Sequence, residues 1–181
     1  MPGFTNPLSL ETTDSFILTT YTENGYSIDQ ISSGLTLTML ETSAIKSVKI
    51  LLNSYVNAQI TTYTFEIVAT VPYLSESDHL LISFPTEIGT PESLNCISAD
   101  TTVVSAIDSC TYLTNLKRTV DIVMIVNNKD QLDSLESFKI SIRTITNPIT
   151  TRATSNFRIR LTDSDYNVIN EFLNPLTIST L

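Results

Sequence analysis

The chain carries its own opening a second time at its end. Residues 4–40 begin Phe4-Thr5-Asn6-Pro7-Leu8, pass Thr13-Asp14-Ser15-Phe16 and finish on Leu35-Thr36-Leu37-Thr38-Met39-Leu40. Residues 145–181 begin Ile145-Thr146-Asn147-Pro148-Ile149, pass Thr154-Ser155-Asn156-Phe157 and finish on Leu176-Thr177-Ile178-Ser179-Thr180-Leu181. At a constant offset of 141, nine of 37 pairs are identical, and several others exchange Leu with Ile or Ser with Thr. One landmark is out of step: Tyr26-Ser27-Ile28 matches Tyr166-Asn167-Val168 at an offset of 140, which predicts a compensated slip nearby. One repeat period plus part of another is the signature of array architectures, whose units are scaffolds or adhesive surfaces more often than catalysts.

The pattern between the two copies is that of strands. Phe157-Arg158-Ile159-Arg160-Leu161 sets three apolar side chains on one face and two arginines on the other, and Phe138-Lys139-Ile140-Ser141-Ile142-Arg143 does the same. Tyr63-Thr64-Phe65-Glu66-Ile67 and Leu80-Leu81-Ile82-Ser83-Phe84 alternate less cleanly, and Val120–Val126 reads as a strand covered on both faces. Period-two alternation rich in β-branched and aromatic residues predicts half-buried antiparallel strands. Turn signals separate them at Asn24-Gly25, Val71-Pro72, Phe84-Pro85, Thr90-Pro91, Asn127–Asp130 and Asn147-Pro148. No stretch holds a helical stripe over a dozen residues, and Asp130–Glu136 suffices for a single helical turn. The prediction is an all-β fold, an immunoglobulin-like (Ig-like) two-sheet antiparallel β-sandwich, with an extra N-terminal group of strands belonging to a neighbouring unit.

The boundary follows from the repeat. The terminal copy completes a unit over 46–181, and residues 1–45 are the tail of a preceding Ig-like unit. That tail supplies three strands, near 15–21, 26–31 and 35–40. A small sheet has no second layer to bury its apolar face and so needs cover from elsewhere.

Composition narrows the function. With 41% hydrophobic and 16% charged residues the chain is globular rather than disordered. A net charge of −9, with ten scattered basic residues, argues against nucleic acid as a partner. Ser and Thr number 49 of 181 residues, favouring strands and turns. No apolar run of 18 residues is present, so membrane insertion is not expected. Met1-Pro2-Gly3 leads straight into the repeat pattern, so a secreted form takes its signal from outside these residues. Cys96 and Cys110 stand among Asn, Ser, Asp and Thr, without the further ligands that a metal site needs. A local disulfide in an oxidising compartment is expected; the competing reading is two reduced, half-buried thiols.

The order of the landmarks resembles a known family. Tyr63-Thr64-Phe65 leads to Leu81-Ile82-Ser83-Phe84-Pro85, then to the two cysteines, then to Phe138-Lys139-Ile140-Ser141-Ile142, Asn147-Pro148, Thr154, Phe157 and the Tyr166 triplet. This is similar to the tandem Ig-like repeats of very large Thr/Ser-rich surface or secreted proteins of ciliates and related protists. The resemblance implies an extracellular or cell-surface location and a structural or adhesive role. It also implies modules joined in arrays or filaments, and it brings no catalytic residues.

Candidate chemistry is sparse. His79, the only histidine, stands beside Asp78 and reads as a surface turn residue rather than a general base, so no enzyme is predicted. Asp163-Ser164-Asp165 offers two carboxylates at a sheet end as a calcium candidate, against the reading of a hairpin turn favoured by Asp and Ser. The aligned Thr22-Glu23-Asn24-Gly25 keeps the turn chemistry with one acid, which favours the turn; no cofactor is expected. No Asn-x-Ser/Thr sequon with x other than Pro occurs, which leaves O-linked sugars, for example at Thr12-Thr13 or Thr150-Thr151. Phe16, Ile17, Leu18, Leu35 and Leu37 are the candidate interface residues, with copies of the same chain as expected partners. The leading expectation is a building block of an extracellular filament or surface array, assembling head-to-tail, with β-strand complementation as one route. The alternative is a carbohydrate- or ligand-binding β-sandwich adhesin, with Tyr73, Tyr112 and Tyr166 as candidate aromatics and glycans as partners.

Overall fold

The computed structural model describes residues 12–38, 43–70, 78–114, 116, 118–126 and 137–181. The turns expected at Val71-Pro72 and Asn127–Asp130, the helical turn at 130–136 and Tyr73 lie outside the described residues. Among the described residues there are twelve strands and no helix.

The fold is a two-sheet β-sandwich. Strands β4 (Ser47–Leu52), β5 (Ile60–Val68), β10 (Ser137–Thr146) and β7 (Cys96–Ser98) form one sheet in that order. The other runs β3 (Ser43–Ala44), β12 (Val168–Glu171), β11 (Arg158–Thr162), β6 (His79–Ser83), β9 (Thr119–Val126) and β8 (Val104–Tyr112). All pairings are antiparallel except the short β3–β12 contact. In immunoglobulin terms β4, β5, β10 and β7 take the A, B, E and D places, and β12, β11 and β6 take G, F and C. The middle departs from that plan, because β7 holds the D place while β8 and β9 follow it in sequence. Strands β1 (Leu18–Tyr21) and β2 (Ser27–Ile31) form a separate two-stranded sheet.

Alternation sets the core. Tyr63, Phe65 and Ile67 of β5 face inward and are buried, while Thr64 and Glu66 face out. On β10 the inward series Phe138, Ile140, Ile142 skips to Ile145, a step of three. A β-bulge absorbs the step: Ile142 pairs Tyr63 and Ile145 pairs Thr61, so Arg143 and Thr144 oppose Thr62 alone. Thr144 takes φ +60° there. Strand β9 is buried on both faces along nearly its whole length, as its continuous apolar run predicts.

An aromatic cluster joins the sheets. Phe157 packs 5.5 Å from Phe84, 5.9 Å from Phe65 and 6.4 Å from Tyr63, between ring centroids. Burial pushes the Tyr63 phenol above its ordinary pKa, and its hydroxyl donates to Asn147 Oδ1 at 2.8 Å. Asn147 in turn donates through Nδ2 to the carbonyls of Ser54 (2.9 Å) and Val56 (2.8 Å).

The expected disulfide is present: Cys96 on β7 bonds Cys110 on β8. These strands belong to different sheets, so the bond staples the sandwich across its layers. Closing a loop of 14 residues' separation stabilises by roughly 3 kcal/mol through the unfolded state. The Cys96→Ala/Cys110→Ala double variant is therefore expected to lose about 2–4 kcal/mol in urea denaturation, and reducing the wild type should reproduce that loss.

Candidate functional site: a hairpin built twice and covered once

The two copies of the repeat share a set of backbone hydrogen bonds. Thr13 N–H donates to Leu37 O at 2.9 Å, and Thr154 N–H to Ile178 O at 2.9 Å. Phe16 N–H reaches Leu35 O at 2.8 Å, and Phe157 N–H reaches Leu176 O at 2.9 Å. Leu37 N–H donates to Thr13 Oγ1, as Ile178 N–H donates to Thr154 Oγ1. The turns match as well: Thr22 N–H to Tyr26 O corresponds to Asp163 N–H to Asn167 O, and Gly25 N–H to Thr22 O corresponds to Tyr166 N–H to Asp163 O.

Every one of these pairs lies at an offset of 141. The compensated slip inferred from Tyr26 and Tyr166 is therefore corrected. Gly25, not Tyr26, stands where Tyr166 does, and both take left-handed backbone, φ +82° and +66°. The turn needs positive φ at that position, which glycine supplies freely and tyrosine does not. The shared tyrosine misled because residue identity outran backbone geometry.

The third expected strand, 35–40, is also corrected. Residues 39–40 lie outside the described residues, and Leu35–Thr38 are not a strand. They are held instead by a mixed ladder in which the hydroxyls of Ser15 and Thr13 accept from Leu35 and Leu37 N–H, alternating with backbone bonds. Side-chain acceptors replace carbonyls here, the local competition expected of Ser and Thr.

Burial separates the copies. Phe157, Ile159, Ile169 and Ile178 are 3%, 0%, 3% and 8% exposed; their counterparts Phe16, Leu18, Ile28 and Leu37 are 54%, 58%, 60% and 41% exposed. Leu35 and Ile17 are exposed too. The five residues expected at an interface thus share one uncovered hairpin. Ile17 stands in the place of Arg158, on the opposite face from Phe16 and Leu18, where Arg158 Nε donates to Glu171 at 2.5 Å.

Glu87 fastens the start of the covered copy. Its Oε1 accepts from Ser155 N–H (2.9 Å) and Ser155 Oγ–H (2.7 Å). These bonds hold its carboxyl down at about 2. A carboxyl held low in the folded state adds stability above its unfolded value, and loses that contribution as pH falls toward the folded value. Glu87→Gln should therefore flatten the acid limb of stability between about pH 4.5 and pH 2, modestly because the group is solvent-screened. Urea midpoints measured across that window check it.

Other groups resolve into local roles. His79 is not a turn residue: it lies on β6, with Nδ1 2.7 Å from Asp121 Oδ1, and the Tyr166 hydroxyl donates to Asp121 Oδ2 at 2.8 Å. The His79 and Tyr166 rings lie 4.7 Å apart. That hydrogen bond and burial raise the Tyr166 phenol pKa. Sequence reasoning missed this cluster because its members come from three strands or turns and share no local motif. It pins the terminal hairpin's turn to the sheet, a pin that Gly25 cannot supply.

Asp163 is engaged as a turn residue, its Oδ1 accepting from Asp165 N–H (3.0 Å) and Asn167 N–H (2.9 Å). Among the described residues no three acidic, His or Cys side chains gather as a metal cluster. Tyr112 packs against the core and donates to Pro91 O, beside an open cavity of about 280 Å³ lined also by Thr90, Glu92 and Leu113. Tyr166 lies on the opposite face of the sheet with Asp121, so these two tyrosines do not form one aromatic platform. No helix among the described residues is long and apolar enough to cross a membrane. Compared with known protein families and with curated proteins, the chain matches none.

Proposed function

We propose that the protein is a structural building block of an extracellular filament or cell-surface array, assembling head-to-tail through Ig-like modules. One observation carries the reading: a hairpin hydrogen-bonded like the covered one presents the same apolar positions to solvent. Contiguous apolar faces of this kind mark interaction surfaces. A contact in which one end of a unit meets a different surface on the next builds an open chain of units wherever the rotation between them does not close a ring. The cross-sheet disulfide supports an oxidising compartment. In this reading 46–181 is a complete module and 1–45 the tail of another.

Negative-stain microscopy tests it. Regular fibres or rows with an axial repeat of one domain length are expected; strictly monomeric particles at every salt and calcium concentration would sink the proposal.

A further inference from the structure

The covered copy shows what the uncovered copy lacks. Strand β11 pairs β6 as Arg158↔Ser83, Ile159↔Ile82, Arg160↔Leu81 and Leu161↔Leu80. Phe157 enters the cluster of Tyr63, Phe65 and Phe84 beside it. We infer that residues 12–38 are a donor hairpin whose acceptor is the β6 edge of a second copy of the body formed by residues 44–148, entered in the register that 154–178 takes. This inference rests on the building-block reading and names its joint. Ile17 then pairs Ser83 of the acceptor, Leu18 pairs Ile82, and Phe16 fills the place of Phe157.

The donor cannot serve its own body. That edge is already filled by β11. Chain length forbids it as well. Ala44 pairs Glu171 in parallel register, whereas Leu181 lies at the far end of the body, bonded to Tyr55 O and Asn57 N. Between Glu171 and Leu181 the chain runs one way, passing Ile159 at Phe172, Phe157 at Leu176 and Thr154 at Ile178. The partner residues passed, Ile159 to Thr154, alone span about 16 Å at the rise of extended chain, and Glu171 and Leu181 lie beyond either end. With Leu40 in the place of Leu181, the four-residue step to Ala44 reaches at most about 14 Å. The acceptor is therefore another body.

The donor is also the weaker occupant. Thr20 stands where the buried Leu161 does, and Gly25 replaces the pinning Tyr166. Entry therefore follows departure of the acceptor's terminal hairpin from that edge, and the experiment disables that hairpin in the acceptor.

A full-length acceptor carrying Phe157→Asp, Ile159→Asp and Ser83→Cys is mixed with a full-length donor carrying Ile17→Cys, under mild oxidation. A disulfide-linked donor–acceptor dimer is expected in intact mass. Adding Phe16→Asp and Leu18→Asp to the donor should abolish it. Moving the acceptor cysteine to Leu81, one diagonal step off register, should reduce it at least about five-fold, since diagonal neighbours are about 7–8 Å apart rather than about 5 Å. Should the acceptor be unfolded alone, the inference expects the donor to restore cooperative melting. The milder Phe157→Ala/Ile159→Ala acceptor repeats the trial. No dimer and no rescue in either acceptor overturns the inference, as does linkage that ignores Phe16 and Leu18. Association of donor with acceptor that requires Phe16 and Leu18 of both chains, without the 17–83 bond, means that two hairpins face each other and also overturns it. Arrays seen by microscopy without this bond would leave the building-block reading standing; the bond without arrays would do the reverse.

Discussion

Phe157→Ala should cost about 3–5 kcal/mol of unfolding free energy, and Phe16→Ala, the same change in the other copy, less than about 0.5 kcal/mol. Both rings sit on the same hydrogen-bonded scaffold, so local propensity cancels in the comparison. Phe157 is buried against three aromatic rings of the sandwich, and truncation leaves a cavity between the sheets. Phe16 keeps 54% of its surface in water, so truncation removes little burial. Urea denaturation of dilute protein measures both. Equal losses would mean that the leading hairpin is covered within its own chain.

Asn147 should be the most sensitive polar position. It is 1% exposed and ties together Tyr63, Ser54 and Val56 through its side chain and Gln59 through its N–H. Asn147→Ala strands the Tyr63 hydroxyl and two carbonyls, each costing about 1–3 kcal/mol when left buried without a partner. A total of about 3 kcal/mol or more is expected. Asn147→Asp should be at least as damaging, since it turns the two donated bonds into a carboxylate facing two carbonyl oxygens. Thermal unfolding of the two variants against Tyr63→Phe, expected near 1 kcal/mol, apportions the network. If Asn147→Ala melts with the wild type, the network is not holding the 53–60 loop to the sheet.

The sequence made the sheets legible wherever one face was wet and the other buried. Phe157-Arg158-Ile159-Arg160-Leu161 is the clearest case: its apolar three are buried and Arg158 is exposed. Even the bulge in β10 left a trace, as the step of three between Ile142 and Ile145. The cysteine pair was readable, but its place was not: that it spans two sheets depends on strand order, which alternation does not encode. The same limit hid the His79–Asp121–Tyr166 cluster, assembled from residues more than 40 apart. Asn147 did leave a signal, the Asn-Pro step shared by both copies at Asn6-Pro7 and Asn147-Pro148. The repeat located the uncovered hairpin. Only the backbone bonds fixed its alignment, because the positive-φ position holds Gly25 in one copy and Tyr166 in the other.

Residues 12–38 form a finished hairpin lacking the layer that covers 154–178. Amide hydrogen exchange, followed by peptide mass in the monomer and in assembled material, tests it most directly. Rapid exchange across 12–38 beside protection of 154–178 is predicted in the monomer, and strong protection of 12–38 on assembly. Protection of 12–38 in a strictly monomeric protein, or its continued rapid exchange in assembled particles, would contradict it.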